Sequence, residues 1–122
     1  MSYQLAIGEY SSYEDEGYLV EYVLEQRMAG VPKIGNASND CNEKSVNESQ
    51  WWAFLESSGL AEAFAELMPE SSLIADIEPH HLDSVRKANK ANLSGWDLNR
   101  LVWLEFWMDW ALRNCKRPVF KR

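Results

Sequence analysis

The sequence contains few of the features that mark an exported, disulfide-bonded or membrane-spanning protein. It has two cysteines in 122 residues, and no apolar run approaches the roughly 18 residues of a membrane span. The first ten residues, MSYQLAIGEY, show neither a basic nor an apolar segment, so we expect no export signal. One Cys41–Cys115 bridge stays open, although reduced thiols are the rule in the cytosol. These absences predict a soluble, cytoplasmic protein with no membrane partner.

Signatures of common catalytic and cofactor sites are absent as well. The chain has no Gly-rich phosphate loop, no CxxC or HExxH motif and no Ser-His-Asp order. Basic residues are also few, because residues 1–78 carry fifteen acidic and three basic side chains, whereas residues 79–122 carry four and nine. A nucleic-acid-binding domain would need a dominant basic face. The sequence therefore predicts no cofactor and no nucleic-acid partner, and it favours a binding protein over an enzyme.

Hydrophobic residues make up 46% of the chain, and six of its residues are tryptophans. This content is enough for the core of a single domain spanning residues 1–122. Residues 96–115 are predicted to form the central helix, because apolar residues cover more than half of its circumference. One narrow stripe of this helix consists of Trp96, Trp103, Trp107 and Trp110. The strip left for water carries Glu105, Asp109 and Arg113.

The pattern predicts a mainly α fold, a compact bundle of four to six helices around this C-terminal helix, with a short strand allowed at residues 3–10. Ser11 and Ser12 precede Glu14 and Asp15 as two capping boxes, which favours a helix over residues 12–30. The alternative is a hairpin that pairs residues 3–10 with residues 18–25. We prefer the helix because both of its ends carry helix signals.

Further along, residues 31–48 have no periodicity and predict one long polar loop, expected to be mobile. Two short helices should follow, capped by Asn47 or Ser49 and separated at Gly59. Residues 71–77 fit either a helical turn or a strand. Asp76 and Pro79 mark another helix start, and Ser94 can cap the central helix. Residues 119–122 are expected to trail off without structure.

An acidic run followed by further acidic residues suggests a docking surface for a basic protein. Its alternative explanation is ordinary helix N-terminal charge on a solvated face. Trp51 and Trp52 are adjacent, so one of them should reach the surface as an anchor. The predicted partner-binding residues are Glu14, Asp15, Glu16, Glu21, Glu25 and Trp52. Size, acidity and lack of catalytic motifs are similar in type to those of inhibitors and immunity proteins that occlude a partner.

Two other functions remain open at this stage. A metal-dependent enzyme would use His80 or His81 with Glu105 and Asp109, although adjacent helical residues point about 100° apart and need carboxylates from elsewhere. The simpler expectation is that Asp109 pairs with Arg113 four residues on. A self-associating subunit would use the tryptophan stripe as a homo-oligomer interface.

Overall fold

The computed structural model of the protein describes residues 1–69 and 72–122. In this part of the chain 38% of the residues are helical and 28% are in strands, arranged as a curled antiparallel half-barrel with four helices. The fold is mixed α/β. The prediction of a mainly α bundle of four to six helices is therefore wrong, and so is the description of the protein as helical. The error arises in the first quarter of the chain and at its C-terminal end.

The secondary-structure elements alternate along the chain. The strands are β1 (Ser2–Asp15), β2 (Tyr18–Val23), β3 (Glu43–Asn47), β4 (Ile74–Asp76) and β5 (Pro118–Lys121). The helices are α1 (Glu48–Ser58), α2 (Ala61–Leu67), α3 (Pro79–Arg86) and α4 (Gly95–Asn114). Residues 71–77 thus contain the short strand β4. Residue 71 itself lies outside the described residues.

The helix predicted over residues 12–30 is a β-hairpin. Glu16 and Gly17 both have positive φ, 50° and 84°, and they join Asp15 to Tyr18 as a two-residue turn. Two successive left-handed residues are the turn whose twist matches that of paired strands. The alternative prediction of a hairpin is correct in type, but it paired the wrong residues. It paired residues 3–10 with residues 18–25, whereas residues 10–15 are the part of β1 that pairs with β2.

β1 pairs along both of its edges and organises the sheet. One edge is shared by β3, which pairs with residues 2–6, and by β2, which pairs with residues 10–15. The opposite edge pairs with β5, and β4 follows β5 at the outside. Residues 119–122, expected to trail off, therefore supply a central strand, in which Val119 and Phe120 are buried.

Asn42 stabilises the part of the β1 edge where pairing with β3 ends and pairing with β2 has not yet begun. Its side-chain amide donates to the carbonyls of Ile7 and Leu24, both at 2.9 Å, and its Oδ1 accepts from the Gln26 N–H at 2.8 Å. Gly8 leaves room for this side chain, since a Cβ there would lie 2.9 Å from Asn42 Nδ2. The fully buried amide thus replaces the strand pairing that neither β2 nor β3 provides at this point.

The helix signals in the rest of the sequence were mostly correct. Asn47 accepts from the Gln50 N–H and caps α1, and Gly59 ends that helix with φ of 75°. Ser94 accepts from the Asp97 N–H and caps α4. Pro79 is the first residue of α3, but Glu78 rather than Asp76 precedes it as the N-cap.

α4 forms the centre of the core, as the sequence predicted. Trp103 and Trp107 are completely buried against residues such as Leu5 and Phe120 from the sheet. Trp96, placed in the same stripe, is 69% exposed because it lies in the first turn of α4. Of the adjacent tryptophans on α1, Trp51 is buried and Trp52 is exposed, which confirms that one of them reaches the surface.

The segment expected to be the long mobile loop is bound to α4 by hydrogen bonds. The indole N–H of Trp103 donates to the Cys41 carbonyl and that of Trp107 to the Asn39 carbonyl, both at 2.9 Å. Asn99 of α4 is buried, and its side chain contacts both the Asn39 amide and the Ile34 N–H. Residues 43–47 of this stretch form β3 rather than loop.

We expect Asn42→Ala to lower the free energy of unfolding by about 3 kcal/mol, because the change leaves two carbonyls and one N–H without partners inside the sheet. Urea denaturation measures the loss. The matched control is Asn36→Ala at an exposed position of the same segment, which should change stability by less than about 0.5 kcal/mol. Equal effects of the two substitutions would show that Asn42 does not hold the strand junction.

Candidate functional site

The hairpin formed by residues 10–23 presents two different faces. Cross-strand partners share a face, and the register pairs Tyr13 with Val20 and Asp15 with Tyr18. Tyr22 lies on the same face, where its ring meets that of Tyr13 edge-on at 5.8 Å. We call this surface the tyrosine face, and its three tyrosines are Tyr13, Tyr18 and Tyr22.

The tyrosine face continues the side of β1 that is buried in the core. Odd-numbered residues of β1 point to one side, where Leu5 and Ile7 are completely covered. Glu9 marks the end of the cover, because its carboxylate accepts from the Lys116 and Arg117 N–H groups at 2.8 Å where the chain leaves α4. These two bonds lower the pKa of Glu9. Beyond Glu9 the same side of the strand is open to solvent.

The exposed fractions of the three tyrosines confirm that this side is open. They are 54% for Tyr13, 76% for Tyr18 and 36% for Tyr22, and Leu19 on the opposite face is 61% exposed. Large apolar side chains placed together on a surface mark interaction sites more often than isolated ones do. The hairpin is therefore the candidate functional site.

Three of the predicted acidic residues surround the hairpin turn. Glu14 and Asp15 end β1, and Glu16 is the first residue of the turn, so three successive carboxylates occupy the tip. Among residues 1–69 and 72–122, no lysine or arginine lies within 4.0 Å of any of these three carboxylates. The tip is thus a concentrated negative charge without a partner in the described structure.

The other two predicted acidic residues are partly engaged. Glu21 accepts from the Tyr10 hydroxyl at 2.6 Å on the face opposite the tyrosines. Glu25 follows β2 and forms an ion pair with Arg27 at 2.7 Å. Both carboxylates add negative charge to the base of the hairpin, but the tip carries the larger unpaired charge.

Trp52 lies far from the acidic tip. Its indole N–H donates to the Tyr3 hydroxyl at 3.2 Å, and Tyr3 is at the opposite end of β1 from Glu14. Eleven residues of strand correspond to about 36 Å of strand path. The structure therefore brings Glu14, Asp15 and Glu16 together at the hairpin tip, places Glu25 beyond the hairpin, and places Trp52, 43% exposed, on a separate surface.

The carboxylates considered for a metal-dependent enzyme are bound by arginine. Arg86 contacts Glu105 at 3.4 Å and Asp109 at 3.3 Å, and Asp109 also forms the expected pair with Arg113 at 3.1 Å. His80 has a different carboxylate beside it, Glu66 of α2. The predicted combination of the two histidines with Glu105 and Asp109 is therefore not what the fold assembles.

The tryptophan stripe offers little surface for self-association. Trp103 and Trp107 have no exposed area, because they fill the core beneath the sheet. Trp96 is the exposed member, and it lies between two open clefts of about 490 Å³ each. One cleft is polar and includes Gln50 and Arg100, and the other is lined by residues 34–37.

The two cysteines are not paired with each other. Both thiols are free and partly buried. Burial and the neighbouring Glu9 raise the pKa of the Cys115 thiol to about 11, so this thiol is protonated at neutral pH. Cys115 is therefore a core-edge residue whose thiol is less reactive than an exposed one.

The tyrosine face was missed in the sequence, although a signal was there. Tyr10, Tyr13, Tyr18 and Tyr22 surround Gly17, and a glycine between two segments rich in aromatic residues indicates a turn between strands. The capping boxes at Ser11 and Ser12 instead favoured a helix over this segment. Once the hairpin is in place, the alternation of the strands puts three tyrosines on one side.

Comparison of the chain with protein-family models, with curated proteins and with solved structures finds no match. Across the described residues, every helix is too short or too polar to cross a lipid bilayer.

The raised pKa of Cys115 leads to a test of thiol reactivity. In a Cys41→Ser variant at pH 8, denaturation in urea should raise the rate of alkylation at Cys115 about 100-fold, since a return from pKa 11 to 9.0 raises the thiolate fraction by that factor. The Cys115→Ser variant reports Cys41 alone as the control. Similar rates at Cys115 in the native and denatured protein would contradict the raised pKa.

Proposed function

We propose that the protein is a protein-binding module whose acidic hairpin docks on a basic surface of its partner. One observation supports this proposal. α4 covers one side of β1 as far as Glu9, and beyond Glu9 the same side continues uncovered as the tyrosine face. A partner element placed on this face would extend the layer that α4 forms inside the domain. Function then lies in the hairpin, and the rest of the fold holds it in place.

The tyrosines would supply most of the binding energy. Tyrosine is among the residues that dominate interfaces, because its ring buries a large area and its hydroxyl keeps a hydrogen bond. Tyr13 and Tyr22 are already in contact, so part of the face is ordered before binding. Less side-chain entropy is lost when such a pair becomes buried.

The carboxylates would select the partner and speed the encounter. Residues 10–23, which form the hairpin, contain four acidic side chains and no lysine or arginine. Charge of one sign on a protruding element raises the association rate with a surface of opposite sign, and salt reduces that advantage. A basic protein surface is the complement that these charges favour.

The proposal is limited to binding and to the occlusion that binding produces. No comparison supports the narrower description as an inhibitor or immunity protein. We place the protein in the cytoplasm, and the free state of both cysteines supports this location because cytosolic thiols stay reduced.

The charge of the tip can be tested by reversal. Immobilised protein should capture a basic partner from lysate of its native cells, and Glu14→Lys, Asp15→Lys and Glu16→Lys together should lower the association rate with that purified partner at least tenfold at low salt. The matched control is Glu56→Lys, Glu62→Lys and Asp83→Lys, which changes net charge equally at exposed positions on the helices. An equal loss in both variants would mean that only net charge matters, and the hairpin would not be the site.

The tyrosine face is tested separately through the dissociation rate. Tyr18→Ser combined with Tyr22→Ser should weaken binding about 30-fold or more, mainly by faster dissociation, because exposed side chains can be truncated without removing core contacts. Thermal unfolding checks that the variant keeps its fold, and Leu73→Ser is the control for loss of an exposed apolar side chain elsewhere. Unchanged affinity of the tyrosine variant would contradict the proposed docking surface.

A further inference from the structure

A cluster of imidazole and carboxylate groups lies where α2 meets α3, away from the hairpin. Glu66 belongs to α2, Glu78 is the N-cap of α3, and His80 and His81 are in the first turn of α3. These are the only two histidines of the chain. Ligand atoms of Glu66, His80 and His81 lie within 4.8 Å of one another.

His80 has a carboxylate beside each of its ring nitrogens. Its Nε2 is 3.3 Å from Glu66 Oε1, and its Nδ1 is 3.5 Å from Glu78 Oε2. A carboxylate that accepts the proton of one ring nitrogen leaves the other nitrogen free to bind a metal, which is the usual support for metal-binding histidines. The contact with Glu66 is the hydrogen bond of the two, and Glu78 lies on the Nδ1 side, where it can accept the Nδ1 proton when Nε2 binds an ion.

The separation between Nε2 of His80 and the Glu66 oxygen also suits a shared ion. Around a tetrahedral metal with bonds of about 2.0 Å, two ligand atoms are about 3.3 Å apart. The side chains of Glu66 and His80 are 71% and 54% exposed, so both can shift to admit an ion without disturbing the core.

His81 completes the cluster from its buried side. Its ring centre is 4.0 Å from that of His80, closer than side chains pointing 100° apart would suggest. Burial, with a smaller contribution from His80, lowers the pKa of His81. In the described structure the ring has another task, because its Nδ1 accepts the Glu78 N–H at 2.8 Å and closes the capping box of α3.

We propose that Glu66, His80 and His81 form a site for a divalent transition-metal ion of the Zn²⁺ type, which joins α2 to α3. Two imidazoles and one carboxylate match the ligand preference of Zn²⁺ and Ni²⁺ and are a poor match for Mg²⁺, which prefers oxygen ligands. Three protein ligands leave a fourth position for water.

Coordination by His81 competes with the capping box. The neutral ring that accepts at Nδ1 carries its proton on Nε2, so either nitrogen can bind a metal only if the hydrogen bond from the Glu78 N–H is given up. Metal binding at His81 thus replaces the hydrogen bond from the Glu78 N–H with a metal–nitrogen bond. Binding should therefore stabilise the α2–α3 contact while it releases the Glu78 amide.

Zn²⁺ alone is the probe for this site. Titration calorimetry in a non-coordinating buffer should show one ion per chain with micromolar affinity, and Mg²⁺ should show no binding. In ¹⁵N NMR spectra the imidazole signals of both histidines should shift, and the Glu78 amide should exchange faster with solvent in the Zn²⁺-bound protein. Since the chain has only two histidines, the spectrum of the His80→Gln variant assigns both signals.

Substitutions distinguish this cluster from other Zn²⁺ ligands. His80→Gln and Glu66→Gln should each weaken binding at least tenfold, and both positions are exposed enough to keep the fold. His81→Gln should have the same effect, and glutamine at this position can still close the capping box. Glu62→Gln, also on α2, and Cys41→Ser, which removes the thiol of the Glu25–Cys41–Glu43 group, should leave binding unchanged.

Three results would overturn the proposal. The first is no Zn²⁺ binding at millimolar concentration, and the second is binding that Cys41→Ser abolishes and His80→Gln leaves intact. The third is a shift of the His80 signal alone with an unchanged Glu78 amide, since this would leave His81 in the capping box and reduce the cluster to a surface contact.

Discussion

The fold depends on how the polar groups of its most buried helix are satisfied. Trp103 and Trp107 place indole N–H groups in the buried core, and Asn99 adds a whole amide. An unpaired buried polar group costs about 1–3 kcal/mol, so α4 can be central only if another element provides acceptors. Residues 31–42 do this with main-chain carbonyls and with Asn39, and in doing so they are held against the helix. A segment without apolar periodicity is for this reason part of the core structure.

The same helix decides which part of the sheet is available for binding. α4 ends at Asn114, and the chain then crosses the sheet side of Glu9 to enter β5. β1 is longer than the helix that covers it, so its last residues extend beyond the core together with β2. A two-stranded ribbon is marginal by itself, and here it is continuous with a strand anchored on both edges by β3 and β5. The length of β1 relative to α4 thus produces an exposed but well-supported face.

The sequence predicted the parts of the fold that local interactions decide and missed those that distant pairing decides. Caps such as Asn47 and Ser94 act within one turn of a helix, and they marked α1 and α4 correctly. β5 exists because Phe120 pairs next to Ile7, more than one hundred residues away, and no local pattern contains that information. Ser11 and Ser12 satisfy a capping box on paper, but in the structure their backbone groups are already paired in the ladder with β2. The acidic residues of the candidate site were predicted from charge alone, whereas the tyrosines needed the strand alternation.

The charge asymmetry along the chain largely persists in three dimensions, and unpaired acidic residues are most concentrated at the hairpin tip. Arg86 pairs with Glu105 and Asp109, and Arg100 pairs with Asp97, all within the basic C-terminal part of the chain, whereas Arg117 reaches Asp76 in the acidic part. Unpaired carboxylates on the helices are separated by other residues, as Glu56 and Glu62 are. At the hairpin tip three follow one another on an element that projects from the core. Repulsion among them is a cost that the fold could avoid with a single lysine, and a basic partner surface is the environment in which that repulsion is relieved.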